Sequence, residues 1–355
     1  MKIAHVVGAR PNFMKMAPVH RALDGRADQL LIHTGQHYDR NMSDVFFEQL
    51  GIGDADINLD VGSASHAQQT AQVMMRIEPV LLEHRPDVLL VYGDVNSTMA
   101  ATVVAAKLGI KVAHVEAGLR SFDRTMPEEL NRLVTDQLAD ILLTPSRDAD
   151  ENLEREGVAR EKIFFVGNVM IDTLVRLLPV AESQLRASAL APWLDRDYIL
   201  VTLHRPSNVD EPEHLRRIVG VLADLAREVP VLFPVHPRTR ARIENAPPEL
   251  HLVEPLGYLE FLALQRKAKL VITDSGGVQE ETTFLGVPCL TARENTERPI
   301  TVTCGTNILV GRDVERLRSE ARAILGGNAK RGSVPELWDG RAAERIANIL
   351  ERLSS

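Results

Sequence analysis

The chain has 355 residues, of which 45% are hydrophobic, 25% charged and 4% aromatic, the profile of ordinary globular protein. That length exceeds what one hydrophobic core usually organises, so two domains are expected. With 41 Lys and Arg against 49 Asp and Glu, the net charge of −8 argues against a general nucleic-acid or anionic-membrane binder, while a local cluster of cations for a small anion stays possible.

The first ten residues, Met1 to Arg10, carry an apolar run too short for a signal peptide and read as a first strand. Further strand candidates follow at Gln29–His33, Val88–Tyr92, Val112–Val115 and Ile141–Thr144, then at Tyr198–Thr202, Val231–Val235, Leu270–Thr273 and Val287–Leu290. They are apolar on successive residues, as expected of parallel strands covered on both faces. Helix-length segments lie between them, among them Thr98–Leu108, Pro127–Leu138, Pro212–Arg227 and Ser275–Leu285. The rhythm predicts an α/β chain of two Rossmann-like, doubly wound parallel sheets with the ligand in the cleft between them. A break near 167 to 197 divides domains at 1–167 and 168–339, and an amphipathic helix over 340–355 is expected to pack back on the first. No apolar stretch approaches the ~18 residues of a membrane span, so a cytoplasmic protein is expected. Cys289 and Cys304 show no disulfide framework or metal spacing and read as small buried hydrophobes.

Candidate chemistry gathers after the strands, where an open parallel sheet binds its ligands. Gly8 permits a tight turn, and Arg10 and Lys15 are cations suited to phosphate. Asp94 and Glu116 each follow a strand directly; Asp94 has a helix-cap alternative, whereas Glu116 has none. Pro127 reads as the first residue of a helix with Glu128 and Glu129 in its first turn, and pairing with the helix dipole is the favoured role of Glu129. In the second half His204-Arg205 and His236 with Arg238 stand at strand ends. The sharpest local signal is Asp274-Ser275-Gly276-Gly277, a bare helix N-terminus fit for a phosphate, with Glu281 one turn on as an acceptor for a ribose diol. No Gly-x-Gly-x-x-Gly, Walker loop, Gly-x-Ser-x-Gly elbow or His-Glu-x-x-His is present, which disfavours a redox dinucleotide; no cofactor and no metal site are expected.

These residues describe a nucleotide diphosphate held by the second half, facing carboxylates from the first, which is the glycosyltransferase-B arrangement. Together they resemble one family, the non-hydrolysing UDP-N-acetylglucosamine 2-epimerases, over nearly the whole chain. The resemblance rests on Gly8-Ala9-Arg10-Pro11 with Lys15, Thr34-Gly35-Gln36-His37, Gly93-Asp94 and His114-Val115-Glu116-Ala117-Gly118-Leu119-Arg120. It continues through Pro127-Glu128-Glu129 with Asn131-Arg132, His204-Arg205, Thr273-Asp274-Ser275-Gly276-Gly277 with Gln279-Glu280-Glu281, and Thr296-Glu297-Arg298-Pro299.

What the resemblance implies is a homodimeric enzyme that expels UDP from C1 while a base removes the C2 proton. Re-addition to the resulting glycal on the other face then inverts C2. Asp94, Glu116, Glu128 and His204 fall on the family's catalytic positions. Arg10, Lys15, Arg132, His236, Ser275, Gly276, Gly277, Glu281 and Arg298 fall on its substrate-binding ones, and Phe261 where the uracil ring would be met. Three departures stand out. The loop Ser121-Phe122-Asp123-Arg124 is shorter than in many bacterial members, and Pro206-Ser207-Asn208 lacks an acidic residue common there. Gln36-His37 continues into Tyr38-Asp39, not into the Arg-Gln/Glu of members that UDP-GlcNAc also activates. A modified UDP-sugar such as UDP-2,3-diacetamido-2,3-dideoxy-glucuronate is the alternative substrate. A glycosyltransferase of the same architecture, a UDP-sugar hydrolase and a nucleotide-sugar sensor are the alternative functions.

Overall fold

The structure, a computed structural model, describes residues 1–35, 50–243 and 246–354; Gln36 and His37 lie outside them. Two compact units divide the chain, Met1–Thr173 with Glu336–Ser355, and Leu174–Pro335. The division falls inside the helix Val169–Arg186, which no linker composition marks.

In the first unit a parallel sheet is built from β1 (Lys2–Val7), β2 (Asp28–His33), β3 (Ile57–Asn58), β4 (Val88–Tyr92), β5 (Lys111–Val115), β6 (Ile141–Thr144) and β7 (Ile163–Phe165). Their order is β3-β2-β1-β4-β5-β6-β7. The central strand β4, Val-Leu-Leu-Val-Tyr, is buried at every residue, because helices cover both faces of such a sheet. In the second unit β8 (Ile199–Thr202), β9 (Val231–Pro234), β10 (Leu250–Val253), β11 (Leu270–Thr273), β12 (Cys289–Thr291) and β13 (Asn307–Leu309) follow the order β10-β9-β8-β11-β12-β13, again parallel. Both units are thus doubly wound. In each, the connections change direction between the first strand and its inward neighbour, at β1/β4 and at β8/β11, and the ends of those strands flank the crevice.

Each unit has its own core. Ala4, Val6, Ile32, Leu89, Val91, Ala101 and Leu142 meet under helices of the first; Ile199, Val201, Leu222, Phe233, Leu270 and Ile272 do so in the second. The C-terminal helix Ala342–Ser354 belongs to the first unit. The buried Asp172 caps it by accepting from the backbone N–H of Ala342 (3.1 Å) and Ala343 (2.7 Å), and Trp338 Nε1 donates to the carbonyl of Pro145 (2.9 Å). Cys289 is buried as expected, but Cys304 is only half-buried, its thiol 3.0 Å from the Ser333 hydroxyl. No helix among the described residues is long and apolar enough to cross a membrane.

Candidate active site

In the first unit the site begins at the end of β1. Gly8 has an ordinary φ; its lack of a side chain matters for space, because a Cβ there would lie 2.3 Å from Ser97 Oγ and 2.7 Å from Thr34 Oγ1. Those two hydroxyls bond each other at 2.7 Å. The next turn is held by Asn12, whose side chain accepts from the N–H of Ala9 (3.1 Å) and donates to the carbonyl of Tyr92 (2.7 Å), tying the end of β1 to that of β4. Arg10 opens the helix Arg10–Ala22. Lys15, one turn further on, is buried and directs its ammonium to Glu116 Oε1 at 2.7 Å. Its immediate partner is therefore a carboxylate at the end of β5.

Glu116 itself is buried with φ of +73°, a conformation a non-glycine residue adopts only at a cost of about 1 kcal/mol or more. Such backbone strain clusters at functional sites. On the neighbouring strand β4, Asp94 follows the Gly93 turn. It is not a helix cap: Val95 precedes the helix Asn96–Lys107, and the Asp94 carboxylate instead takes Arg132 Nε (3.0 Å) and Nη2 (2.8 Å). Arg132 thus places two N–H groups on a single oxygen, Asp94 Oδ2, and also bonds Glu129.

Glu129 stands in the first helical turn as expected for dipole pairing, and it does more than that. Buried in the first turn of the helix Pro127–Leu138, it accepts from the backbone N–H of Ser121 (3.0 Å) and Phe122 (2.8 Å) and from the Ser121 hydroxyl (3.0 Å), clamping the short loop. Glu128, its neighbour, is half-buried and lines a cavity of about 290 Å³. Asp94 lines the same cavity, as do the polar side chains of His66, Gln69, Asn96 and Asn131. Asn131 joins the walls by donating to the Asp94 carbonyl (2.9 Å) and to Asn96 Oδ1 (3.2 Å). Two carboxylates therefore face one polar cavity, with a third, Glu116, at the adjacent strand end.

In the second unit the buried Asp274 organises the end of β8. Its carboxylate accepts from the N–H of His204 and of Arg205 (3.1 and 3.0 Å), from Asn208 Nδ2 (2.9 Å) and from His204 Nδ1 (2.9 Å). Burial pushes the Asp274 carboxyl up, but these donors outweigh it and hold the group below its ordinary value. The His204 side chain is 61% exposed, so with Nδ1 committed to Asp274 the ring offers Nε2 to a ligand. Sequence reasoning picked out His204 but missed the acid that orients it, although Asp274 stood in the same motif as the glycines.

The helix Gly276–Leu285 starts after Ser275, whose side chain makes no capping bond, so the first-turn N–H groups are available to an anion. Gly276 leaves room for the Arg298 guanidinium: a Cβ there would lie 2.6 Å from Arg298 Nη1 and would push it aside. Arg298 is buried behind this turn, with Nε 2.9 Å from Glu280 and Nη1 2.7 Å from Glu297, and Glu297 also takes Arg293 at 2.8 Å. The guanidinium thus stands in an ion network at the helix start. Glu281 is buried as well, with the Tyr258 hydroxyl donating to its Oε1 at 2.9 Å; burial pushes its carboxyl up to about 7. Phe261 is half-buried on the helix Tyr258–Lys267. His236 is exposed and turned inward on its own short helix, its Nδ1 accepting from the N–H of Arg238 at 3.3 Å. Among the described residues no group of three His, Cys, Asp or Glu side chains is placed to hold a metal ion.

The chain is similar to known proteins along nearly its whole length. A family model described as UDP-N-acetylglucosamine 2-epimerase matches residues 21–351. A UDP-N-acetylglucosamine 2-epimerase of Methanocaldococcus jannaschii is 44% identical over 363 residues, covering 99% of both chains. A UDP-2,3-diacetamido-2,3-dideoxy-D-glucuronate 2-epimerase of Pseudomonas aeruginosa is also 44% identical, over 99% of this chain and 100% of its own. Among solved structures, the M. jannaschii UDP-GlcNAc 2-epimerase in complex with UDP-GlcNAc and UDP superposes with a TM-score of 0.90 at 43% identity, over 99% of this chain and 100% of that one.

Proposed function

The chain belongs to the UDP-N-acetylglucosamine 2-epimerase family, an isomerase family acting on UDP-sugars, and from that premise we propose that it interconverts UDP-GlcNAc and UDP-ManNAc by elimination and re-addition of UDP. The C2 hydrogen of the sugar is not acidic, so its removal has to be coupled to departure of a good leaving group. A carboxylate takes the C2 proton, the C–H electron pair becomes the C1=C2 bond, and the C1–O pair leaves with UDP. Protonation at C2 from the opposite face and attack of the UDP oxygen on C1 complete the inversion. The observation that carries this reading is the carboxylate set: at neighbouring strand ends Asp94 held by Arg132 and Glu116 in a strained turn beside Lys15, with Glu128 lining the same cavity as Asp94. Acid and base on two faces of one ring need more than one such group. In the second unit the uncapped helix start at Ser275-Gly276-Gly277, with Arg298 behind it, suits the departing diphosphate, Glu281 the ribose, and His204 a proton or a phosphate oxygen.

Incubation of the protein with UDP-GlcNAc in D₂O, followed by proton NMR, is the test. Epimerised sugar nucleotide should accumulate without net UDP and carry deuterium at C2; epimer free of deuterium rules out the elimination, and net UDP points to a hydrolase. The same run with UDP-2,3-diacetamido-2,3-dideoxy-glucuronate addresses the second reading, which the equal 44% identity to the Pseudomonas enzyme supports.

We further propose that the enzyme works as a homodimer. Leu130, Val134 and Leu138 recur every four residues along the helix Pro127–Leu138 and are 43%, 36% and 40% exposed. Met75 and Leu82 add exposed apolar surface on the helix His66–His84. A continuous apolar stripe on a soluble helix is the kind of surface a second copy covers. Light scattering should give twice the chain mass, and Val134→Glu should shift it to the monomer value; a monomeric wild type overturns the assignment.

A further inference from the structure

Asp136 lies two turns beyond Glu128 and Glu129 on the helix Pro127–Leu138 and has no place in the reaction as drawn above, yet it is fully buried and heavily engaged. One of its oxygens, Oδ1, accepts from His114 Nδ1 at 2.6 Å; the other, Oδ2, accepts from the backbone N–H of Gly118 at 3.1 Å and from Arg120 Nη1 at 2.7 Å. His114, also fully buried, carries the contact onward, because its Nε2 donates to the carbonyl of Gly93 at 2.8 Å. The ring thus bridges the Asp136 carboxylate and the Gly93 carbonyl. Arg120 is held from its other side by Glu156 through two bonds of 2.8 and 2.6 Å. Burial pushes the Asp136 carboxyl up, but the His114 and Arg120 charges outweigh it and keep the group below its ordinary value.

The two ends of this chain of contacts are the residue before Asp94 and the turn after Glu116. We propose that Asp136 is a positioning residue of the epimerase: its carboxylate locks together the two backbone turns that present Asp94 and Glu116. The inference rests on the reading that those two carboxylates act on the sugar. It follows from counting donors and acceptors. Gly93 O is oriented by His114, and His114 is oriented by the partner at its Nδ1, which here is Asp136. The left-handed backbone of Glu116 needs support from outside the residue, and the Gly118 N–H bond to Asp136, two residues on, supplies it beside the Glu116 N–H bond to the Leu143 carbonyl (3.0 Å). A carboxylate can accept on both sides at once. An amide of the same shape keeps only one acceptor: its NH₂ either meets the Gly118 and Arg120 donors or turns to His114, whose Nδ1 must then accept, and in both cases the negative charge that holds Arg120 and the ring is gone. The lock is therefore weakened in Asn.

The test compares full-length wild type, Asp136→Asn and Asp150→Asn at a temperature where circular dichroism shows each fully folded. Asp150 is a buried acid of the same unit whose carboxylate is bonded to the Thr144 hydroxyl at 2.5 Å and paired with Arg147 and Arg160, and it serves as the control for lost stability. Misplacing reacting groups by about 1 Å costs on the order of 10²-fold. Asp136→Asn should accordingly lower kcat by about 10- to 100-fold with KM within threefold, whereas Asp150→Asn should keep kcat within twofold. A kcat for Asp136→Asn within threefold of wild type, or a rise in KM with kcat intact, overturns the proposal. His114→Gln decides the matter should Asp136→Asn not accumulate folded: kcat about 10-fold down at constant KM supports the role, and an unchanged kcat refutes it. Wild type assayed alongside separates a failure of this inference from a failure of the epimerase reading.

Discussion

Glu116→Gln should lower kcat for epimerisation by about 10²- to 10⁴-fold, the range that loss of a positioned acid or base produces. The substitution keeps the shape, the left-handed backbone and an acceptor for Lys15, so the protein should remain folded; what it removes is the capacity to take or give a proton. The buried Lys15 ammonium, 2.7 Å from Glu116 Oε1, is left against a neutral amide, at a cost of about 2 kcal/mol. Rate and stability can therefore be told apart. If Glu116 only anchors Lys15, the loss of rate will be no greater than the loss of folded protein seen by thermal melts. If it acts on the sugar, the rate will collapse in a sample that melts as one cooperative species. A second variant sharpens the distinction. Glu116→Gly relieves the strain of φ +73° but leaves no carboxyl, and it should be as inactive as the glutamine form. Near-normal turnover in either variant removes Glu116 from the chemistry.

The proposal for Glu116 can be made from the chain itself, since a glutamate directly after an apolar strand and before Ala-Gly is seldom structural. The same reasoning located the central strands: β4 is an unbroken apolar run and β11 is apolar up to Thr273, because both faces of each are covered. It could not locate β3, β7, β10 or β13. These are two to four residues long and sit at or next to the sheet edges, where half-polar stretches such as Ile57–Asn58 and Asn307–Leu309 carry no periodicity to read. The partners of the site residues were hidden for a different reason. Lys15 and Glu116 are 101 residues apart, and Asp94 and Arg132 are 38 apart; each pair meets only because β1, β4 and β5 stand side by side. Glu129 shows how a local rule can stop short. First-turn position suggests dipole pairing, but the N–H groups of Ser121 and Phe122, brought back by the loop, are the stronger claim on its carboxylate. Asp274 was legible as part of a glycine turn yet not as the acid that aims His204, since that role depends on the pairing of β8 with β11.

Glu281→Gln should make the protein more stable at pH 8 while weakening its hold on UDP. The wild-type carboxyl is pushed up to about 7 by burial, with Glu280 adding repulsion and the Tyr258 bond only partly offsetting both. A folded pKa above the unfolded value of 4.5 means that the neutral form is the one the fold favours. The stability tied to this group is thus fully present below about pH 4.5 and is lost as pH rises toward 7, a loss of about 3 kcal/mol once ionisation is complete. Gln is neutral throughout and keeps an oxygen for the Tyr258 hydroxyl, so its unfolding midpoint in urea should fall less between pH 5 and pH 8 than that of wild type, and the two should differ most at pH 8. Nucleotide binding should move the other way. An ionised carboxylate accepts from both hydroxyls of a ribose diol, whereas the amide offers one oxygen, already engaged by Tyr258, and a donor facing donors. The Kd for UDP should rise by about tenfold at pH 8, with a smaller difference at pH 5, where the wild-type group is itself largely protonated. Equal pH dependence of the two proteins in urea argues that Glu281 is already neutral at pH 8, and unchanged UDP affinity removes it from the ribose site. A residue held at such a cost to folding is best explained by what it binds, and the two measurements on one substitution separate the cost from the use.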